Sequence, residues 1–233
     1  MYSVAILAGG LATRLGEVTR KLPKSLLEIS GKPFIFHQLD ILKSQGVKNV
    51  VLCVGHLGEM IESAVGDGRN FNLSIKYSYD GDKQLGTGGS ISKALHLLDP
   101  NFLVLYGDSL LPINFEKVQK AYDTKKLGLM TIIKNDNAWD LSNVLYLDGK
   151  LIEYNKRNPK PNMKYIDYGL SILNKNAFNY FINEQIFDLS DLFALLSSRC
   201  ELSAFEVYER FYEIGSQKGI QETEDYLNNF KLG

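Results

Sequence analysis

Two glycines follow directly on an apolar run, Leu7-Ala8-Gly9-Gly10. Arg14 comes shortly after, and Pro23-Lys24-Ser25 adds a second cation. Glycines let a backbone approach a ligand closely, and their amide groups can face phosphate oxygens. Arg14 would bring a planar, multi-donor cation and Lys24 a point charge to the same anion. The chemistry open to such a set is the holding of phosphates, although Gly-Gly by itself also describes a plain strand–loop turn with solvated cations nearby. Two familiar phosphate fingerprints are missing. Position 11 is leucine where G-x-G-x-x-G needs glycine, and no G-K-[ST] occurs, which argues against a dehydrogenase and a P-loop NTPase. Asp108 stands just past another apolar run, where a carboxylate is costly unless it is solvated, bound to a cation or capping a helix. Asp80-Gly81-Asp82 could hold a metal and a nucleotide diphosphate, or simply form a turn.

These residues need a frame. Residues 4–8 form a continuous apolar run stopped by glycine, as expected of a strand buried on both faces. Further strands are predicted at 47–54, 73–79 and 102–106. Helical spacing falls between them, at 34–45, 57–65 and 91–98. This alternation implies an α/β fold with a mostly parallel central sheet flanked by helices. Such sheets take ligands outside the carboxyl ends of their strands, where Gly9-Gly10, Gly55 and Gly107-Asp108 all fall. After a helix at 115–122 the texture turns strand-rich, with strands at 127–134, 144–147, 151–154 and 165–173. Leu147-Asp-Gly-Lys150 is a hairpin signal. Helical patches follow at 175–182, 189–198 and 220–230, and the polar stretch 156–162 reads as a mobile loop. No repeat or linker interrupts the chain. A single domain over 1–233 is expected, divided functionally at about residue 125.

The bulk composition narrows the partners. The 233 residues carry 26 Lys plus Arg against 27 Asp plus Glu, a net charge of −1. That balance argues against a protein held to nucleic acid or an anionic membrane by overall charge, and leaves room for a local phosphate pocket. Two cysteines, Cys53 and Cys200, form no metal knuckle or disulfide framework, and Cys53 reads as a buried thiol. No apolar run is long enough to span a bilayer, and a cytoplasmic location is expected.

Gly9-Gly-Leu-Ala-Thr-Arg14 with Pro23-Lys24 resembles the G-G-x-G-T-R-L and P-K-P-L signature of the sugar-1-phosphate nucleotidyltransferases. Ala12 and Ser25 replace its usual glycine and proline. Leu85-Gly-Thr-Gly-Gly89 resembles that family's base-recognition loop and Tyr106-Gly-Asp108 its metal-binding strand end. Tyr154-Asn-Lys156, Asp167-Tyr-Gly169 and Tyr212-Glu-Ile-Gly215 resemble, in order, its F-x-E-K, N-x-G and D-I-G segments.

The resemblance implies a Rossmann-like sheet with a smaller sugar-binding region, and transfer of a nucleotidyl group from an NTP to a sugar 1-phosphate with release of pyrophosphate. Leu7, Ala8, Gly9, Gly10, Gly86, Thr87 and Gly88 would bind the nucleotide. Arg14 and Lys24 would be catalytic, Arg14 on the departing phosphates and Lys24 between the α-phosphate and the incoming one. Mg²⁺ would be held by Asp108 and Glu213, the family more often having aspartate at the second place. Lys156, Asp167 and Gly169 would hold the sugar phosphate. The compact length resembles the heptose- and mannose-1-phosphate guanylyltransferases, which favours GTP with a heptose or hexose 1-phosphate and leaves UTP and CTP open. A homodimer is the assembly implied. A metal-dependent glycosyltransferase using Asp80 and Asp82, and a nucleotide sensor without turnover, are the rival functions.

Overall fold

The structure, a computed structural model, describes residues 1–10 and 22–230. In chain order its elements begin with β1 (Val4–Leu7), β2 (Glu28–Ile29), β3 (Lys32–Pro33), α1 (Phe34–Ser44), β4 (Asn49–Val54) and α2 (Gly58–Val65). They continue with β5 (Ser74–Tyr79), α3 (Gly86–Ala94), β6 (Asn101–Tyr106), β7 (Ser109–Leu110) and α4 (Phe115–Ala121). The last group is β8 (Gly128–Lys134), β9 (Val144–Leu147), β10 (Lys150–Tyr154), β11 (Tyr165–Asn174), α5 (Leu189–Ser198), β12 (Leu202–Val207), β13 (Tyr212–Glu213) and α6 (Gln217–Phe230).

The α/β expectation holds. β5, β4, β1 and β6 lie side by side in that order and run parallel. The chain therefore starts mid-sheet, builds outward through β4 and β5, and returns to the other flank of β1 as β6. The reversal leaves a crevice at the carboxyl ends of β1 and β6. Side chains alternate across the sheet with the two-residue period of a strand. Val4, Ile6, Val50, Leu52, Leu103 and Leu105 enter the core shared with α1, α2 and α4. Ala5, Val51, Cys53, Phe102 and Val104 enter the opposite core with α3 and α5. Cys53 is buried as expected, and burial pushes its thiol up to about 12.

The second half joins the same sheet. β11 is antiparallel to β6, but only from Leu170 onward, opposite Leu105. Its first residues run past the carboxyl end of β6, where Tyr165 pairs instead with Val144 of the β9–β10 hairpin. That hairpin turns at Asp148 (φ 48°) and Gly149 (φ 74°), the two positive φ values of the expected Asp-Gly turn. The other edge of β11 carries β8, and β12 pairs with β8 in parallel. Some features differ from expectation. α3 begins at Gly86 rather than 91, because the glycine-rich loop is itself the first helical turn, and β12 and the short strands β2, β3, β7 and β13 were not foreseen. Among the described residues no helix is long and apolar enough to cross a membrane.

The strand ends meet through backbone. A Cβ on Gly107 would lie 2.6 Å from the Leu7 carbonyl oxygen, and one on Gly9 would lie 2.8 Å from the Gly55 nitrogen. Gly10, one residue on, meets no atom within 4 Å among the described residues. Gly107→Ala should therefore lose about 1–3 kcal/mol in urea unfolding, the usual cost of forcing extra volume into a packed site. Gly10→Ala should stay within about 0.5 kcal/mol. Equal losses for the two would refute this account of the strand-end contact.

Candidate active site

The crevice is a cleft of about 650 Å³. Leu7, Ala8, Gly9 and Gly10 line it from the end of β1, and Gly86 and Thr87 from the start of α3. Lys24 and Asp108 line it as a contacting ion pair. All of these were expected on the nucleotide side, and the fold brings them together. Arg14 lies outside the described residues. Gly88 is displaced from the cleft. Its amide donates to the Phe187 carbonyl (2.9 Å), and a Cβ there would meet the Phe187 ring at 2.3 Å.

The glycine-rich loop is thus a packing surface as much as a ligand surface. Gly89 also donates to the Phe187 carbonyl (3.1 Å), and Thr87 donates through its amide to Asp188 Oδ1 (3.2 Å). The amides of residues 87–89 are engaged by the segment leading into α5. Side chains take a larger share of the lining: Gln84, Ser90, Tyr106, Ile186 and Asp188 all face the cleft. Sequence reasoning missed them as site residues. Tyr106 sat inside a recognised motif, but nothing local linked Asp188 to a loop about a hundred residues away.

The carboxylates are brought together by a two-stranded ribbon. β7 pairs antiparallel with β13, setting Glu213 opposite Ser109, and the Ile214 amide donates to the Asp108 carbonyl (3.0 Å). Lys24 Nζ donates to Asp108 Oδ2 at 2.7 Å. A Cβ on Gly215 would lie 2.9 Å from Lys24 Nζ and nearer still to Glu213 Oε2, so lysine and both acids share one corner. The Glu213 carboxylate accepts from the Gly215 amide and from Ser216 Oγ (2.8 Å). Two carboxylates, Glu213 on β13 and Asp108 just before β7, beside the cleft, suit the donor set Mg²⁺ uses with phosphate oxygens. No group of three metal-ligating side chains occurs among the described residues.

Lys24 reaches this corner because Pro23 opens a single 3-10 turn, Lys24–Leu26. The turn is tied to α1 through the Phe34 amide donating to the Leu27 carbonyl (2.9 Å). Asp80 also lines this cleft, and its Oδ1 accepts from Ser90 Oγ (2.7 Å), bracing α3, whereas Asp82 lies outside that lining.

Of the sugar-side residues, Asp167 and Gly169 sit on the overhang of β11 and Lys156 in the loop after β10. The register with β8 slips between Asp167 and Ser171, and the bulge is filled by Thr131 Oγ1, which donates to the Leu170 carbonyl (2.6 Å). Within it Asp167 Oδ1 accepts from the Gly169 amide (3.0 Å), and Gly169 adopts φ 107°. A Cβ on Gly169 would lie 3.6 Å from the Tyr106 ring, so this segment abuts the residue that lines the nucleotide cleft. Lys156 is exposed and its charge acts on Asp167. The loop around it carries two exposed ion pairs, Arg157 with Asp191 (2.6 Å) and Lys160 with Glu153 (2.6 Å).

Burial raises the Asp167 carboxyl to about 6, against the lowering effects of the Gly169 amide and Lys156. Its favourable contribution is therefore complete below the unfolded value near 3.8 and is lost as pH rises through about 6. Asp167→Asn keeps an acceptor for the Gly169 amide and removes the charge. The variant should match the parent near pH 3.5 and exceed it by about 2 kcal/mol at pH 8 in chemical denaturation. Parallel pH–stability curves would place the Asp167 carboxylate in ordinary solvent.

The family model described as nucleotidyl transferase matches residues 3–140, more than half of the chain. A D-glycero-α-D-manno-heptose 1-phosphate guanylyltransferase of Aneurinibacillus thermoaerophilus is 31% identical over 189 residues, covering 80% of this chain and 77% of its own. One of the same description from Campylobacter jejuni is 29% identical over 212 residues, covering 90% and 93%. The crystal structure of HddC from Yersinia pseudotuberculosis complexed with GMP-PN superposes with a TM-score of 0.80 at 24% identity, covering 97% of this chain and 100% of that one. With the Gly-Gly strand end, the lysine and the paired carboxylates in the order the signature demands, the chain belongs to the nucleotidyl transferase family, as a sugar-1-phosphate nucleotidyltransferase.

Proposed function

We propose that the enzyme transfers a guanylyl group from GTP to a heptose or hexose 1-phosphate, with Mg²⁺ held by Asp108 and Glu213. The observation that carries the reading is the Lys24–Asp108 pair lining one cleft with Gly9-Gly10, with the Asp167 bulge beside it. A sugar 1-phosphate has a second pKa near 6, as phosphoserine has, and is anionic at neutral pH without a general base. One of its oxygens attacks the α-phosphorus, a new P–O bond forms, and the bond to the β-phosphate oxygen breaks to release pyrophosphate. The protein's task is placement and charge neutralisation. Lys24 would leave Asp108 to lie between the α-phosphate and the incoming phosphate. Arg14 would hold the departing phosphates, Lys156 the sugar phosphate, and Asp167 the sugar hydroxyls. Bound Mg²⁺ would supply positive charge to the nucleotide phosphates.

The guanine preference is supported by the two guanylyltransferase relatives. A glycosyltransferase using Asp80 and Asp82 is disfavoured because only Asp80 of the two lines the cleft that holds Lys24 and Asp108. Free thiols at Cys53 and Cys200 accord with a cytoplasmic enzyme, and a homodimer completes the proposal.

The test is a matrix of four NTPs against a panel of sugar 1-phosphates, scored by pyrophosphate release. GTP should lead by at least tenfold in kcat/KM, and a lead for UTP or CTP would overturn the base assignment. Arg14→Ala should lower kcat by on the order of 10²–10³, because its contact strengthens as charge develops on the leaving group. An unchanged kcat with only a raised KM for the sugar phosphate would remove Arg14 from that role. Glu213→Gln should abolish Mg²⁺-dependent turnover and Glu213→Asp retain it. Asp167→Ala should narrow the preference for the native sugar over a deoxy analogue, since a site built to bind a hydroxyl discriminates against its loss. Equal losses on both sugars would exclude that contact.

A further inference from the structure

α1 faces the apolar core with Ile35, Leu39 and Leu42, yet it also buries an amide, Gln38, only 2% exposed. Gln38 Nε2 donates to the Tyr106 carbonyl (2.9 Å) and to the Ser109 carbonyl (2.8 Å). These carbonyls bracket Gly107-Asp108, the turn between β6 and β7. Gln38 Oε1 is buried with no hydrogen-bond partner among the described residues. The orientation of the amide follows from chemistry: turned over, it would set an oxygen against two carbonyl oxygens. A purely apolar side chain of similar size would fill this space without leaving an acceptor unpaired, so filling space does not explain an amide here. Two turns further along, Gln45 fastens the continuation of the same segment. Its Nε2 donates to the Ile113 carbonyl (3.0 Å), and its Oε1 accepts from the Phe115 amide (3.2 Å).

We infer that Gln38 is a positioning residue for the metal-binding carboxylate. By gripping the backbone on both sides of a glycine-containing turn, it sets the direction in which Asp108 projects toward Lys24 and the cleft. Gln45 anchors the distal part of the segment and has no bearing on that direction. The inference rests on the assignment of Asp108 to Mg²⁺ made above.

The experiment compares Gln38→Met, Gln45→Met and Asp108→Asn in the whole enzyme. Two quantities are read: amide hydrogen exchange over 106–115 without substrates or metal, and the Mg²⁺ concentration giving half-maximal turnover. Gln38→Met should speed exchange at residues 106–110 and raise the Mg²⁺ midpoint about 10-fold, the low end of what outer partners of a metal ligand are worth. High Mg²⁺ should restore most of its kcat. Gln45→Met should speed exchange only around 111–115 and leave the midpoint alone. If Gln38→Met does not fold, Gln38→Glu keeps the shape, replaces the donor with an acceptor and should shift the midpoint at least as far. An unmoved midpoint in the Gln38 variant, with Asp108→Asn inactive, overturns the inference and leaves the metal assignment standing. Full Mg²⁺-dependent turnover by Asp108→Asn would overturn the metal assignment, and the inference with it.

Discussion

The contact on which the site depends is between backbones, where the end of β6 lies against the end of β1. The Gly107 amide donates to the Leu7 carbonyl (2.9 Å), in a space that admits no side chain at Gly107. On the other flank the Ala8 amide donates to the Cys53 carbonyl (2.8 Å), and Gly9 packs on Gly55. Three strand ends are drawn together at distances that only glycine permits. Asp108 and Gly9-Gly10 can line one cleft because nothing bulkier holds their backbones apart. The glycines serve this convergence first, and exposure of amides to a ligand is the second use of the same feature.

Convergence concentrates acids. The charges of Asp108, Asp167 and Asp188 all act on Tyr106, and with burial as the largest cause they hold its hydroxyl well above the ordinary phenol value. Each acid is balanced differently: Asp108 by Lys24, Asp167 by the Gly169 amide and the charge of Lys156, Asp188 by the amide and hydroxyl of Thr87. A polyanionic substrate entering such a place needs positive charge brought with it or released from these pairs. The lysine that neutralises Asp108 in the free protein would pass to phosphate once a cation takes its place. That exchange fits a site whose work is electrostatic placement rather than proton transfer.

The two halves meet through strand length. β11 is ten residues long and only its later part pairs with β6, so its first residues project beyond the carboxyl edge of the parallel strands. The β9–β10 hairpin continues the sheet there, and the bulge at 167–171 aims Asp167 and Gly169 at Tyr106. On the far side of the cleft, the ribbon of β7 and β13 carries Glu213 beside Asp108. Both arrangements are non-local hydrogen-bonded registers, set by pairing between segments about twenty to a hundred residues apart.

The sequence alone determined the parallel half of the sheet, because buried parallel strands are continuous apolar runs and their ends are marked by glycine. Residues 4–8, 47–54, 73–79 and 102–106 read plainly for that reason, as did the Asp148-Gly149 turn. It also determined the family, since Gly9-Gly10, Lys24 and Asp108 are local motifs in a fixed order. Only the tertiary structure decided what those motifs touch. The Gly86–Gly89 loop reads as ligand-facing, yet three of its amides bond to residues 187 and 188, a pairing with no local signal. Gln38 reads as one polar residue in a helix, and its two donors find the Asp108 turn only because α1 packs beneath it. β12 carries no strong alternation because it lies at the sheet edge with four of its six residues half-buried, so its pairing with β8 had to be found by contact. Periodicity and glycine placement record what a residue needs from its immediate neighbours. Hydrogen-bond partners across the fold leave no such record, because any donor can meet any acceptor that the packing brings within reach.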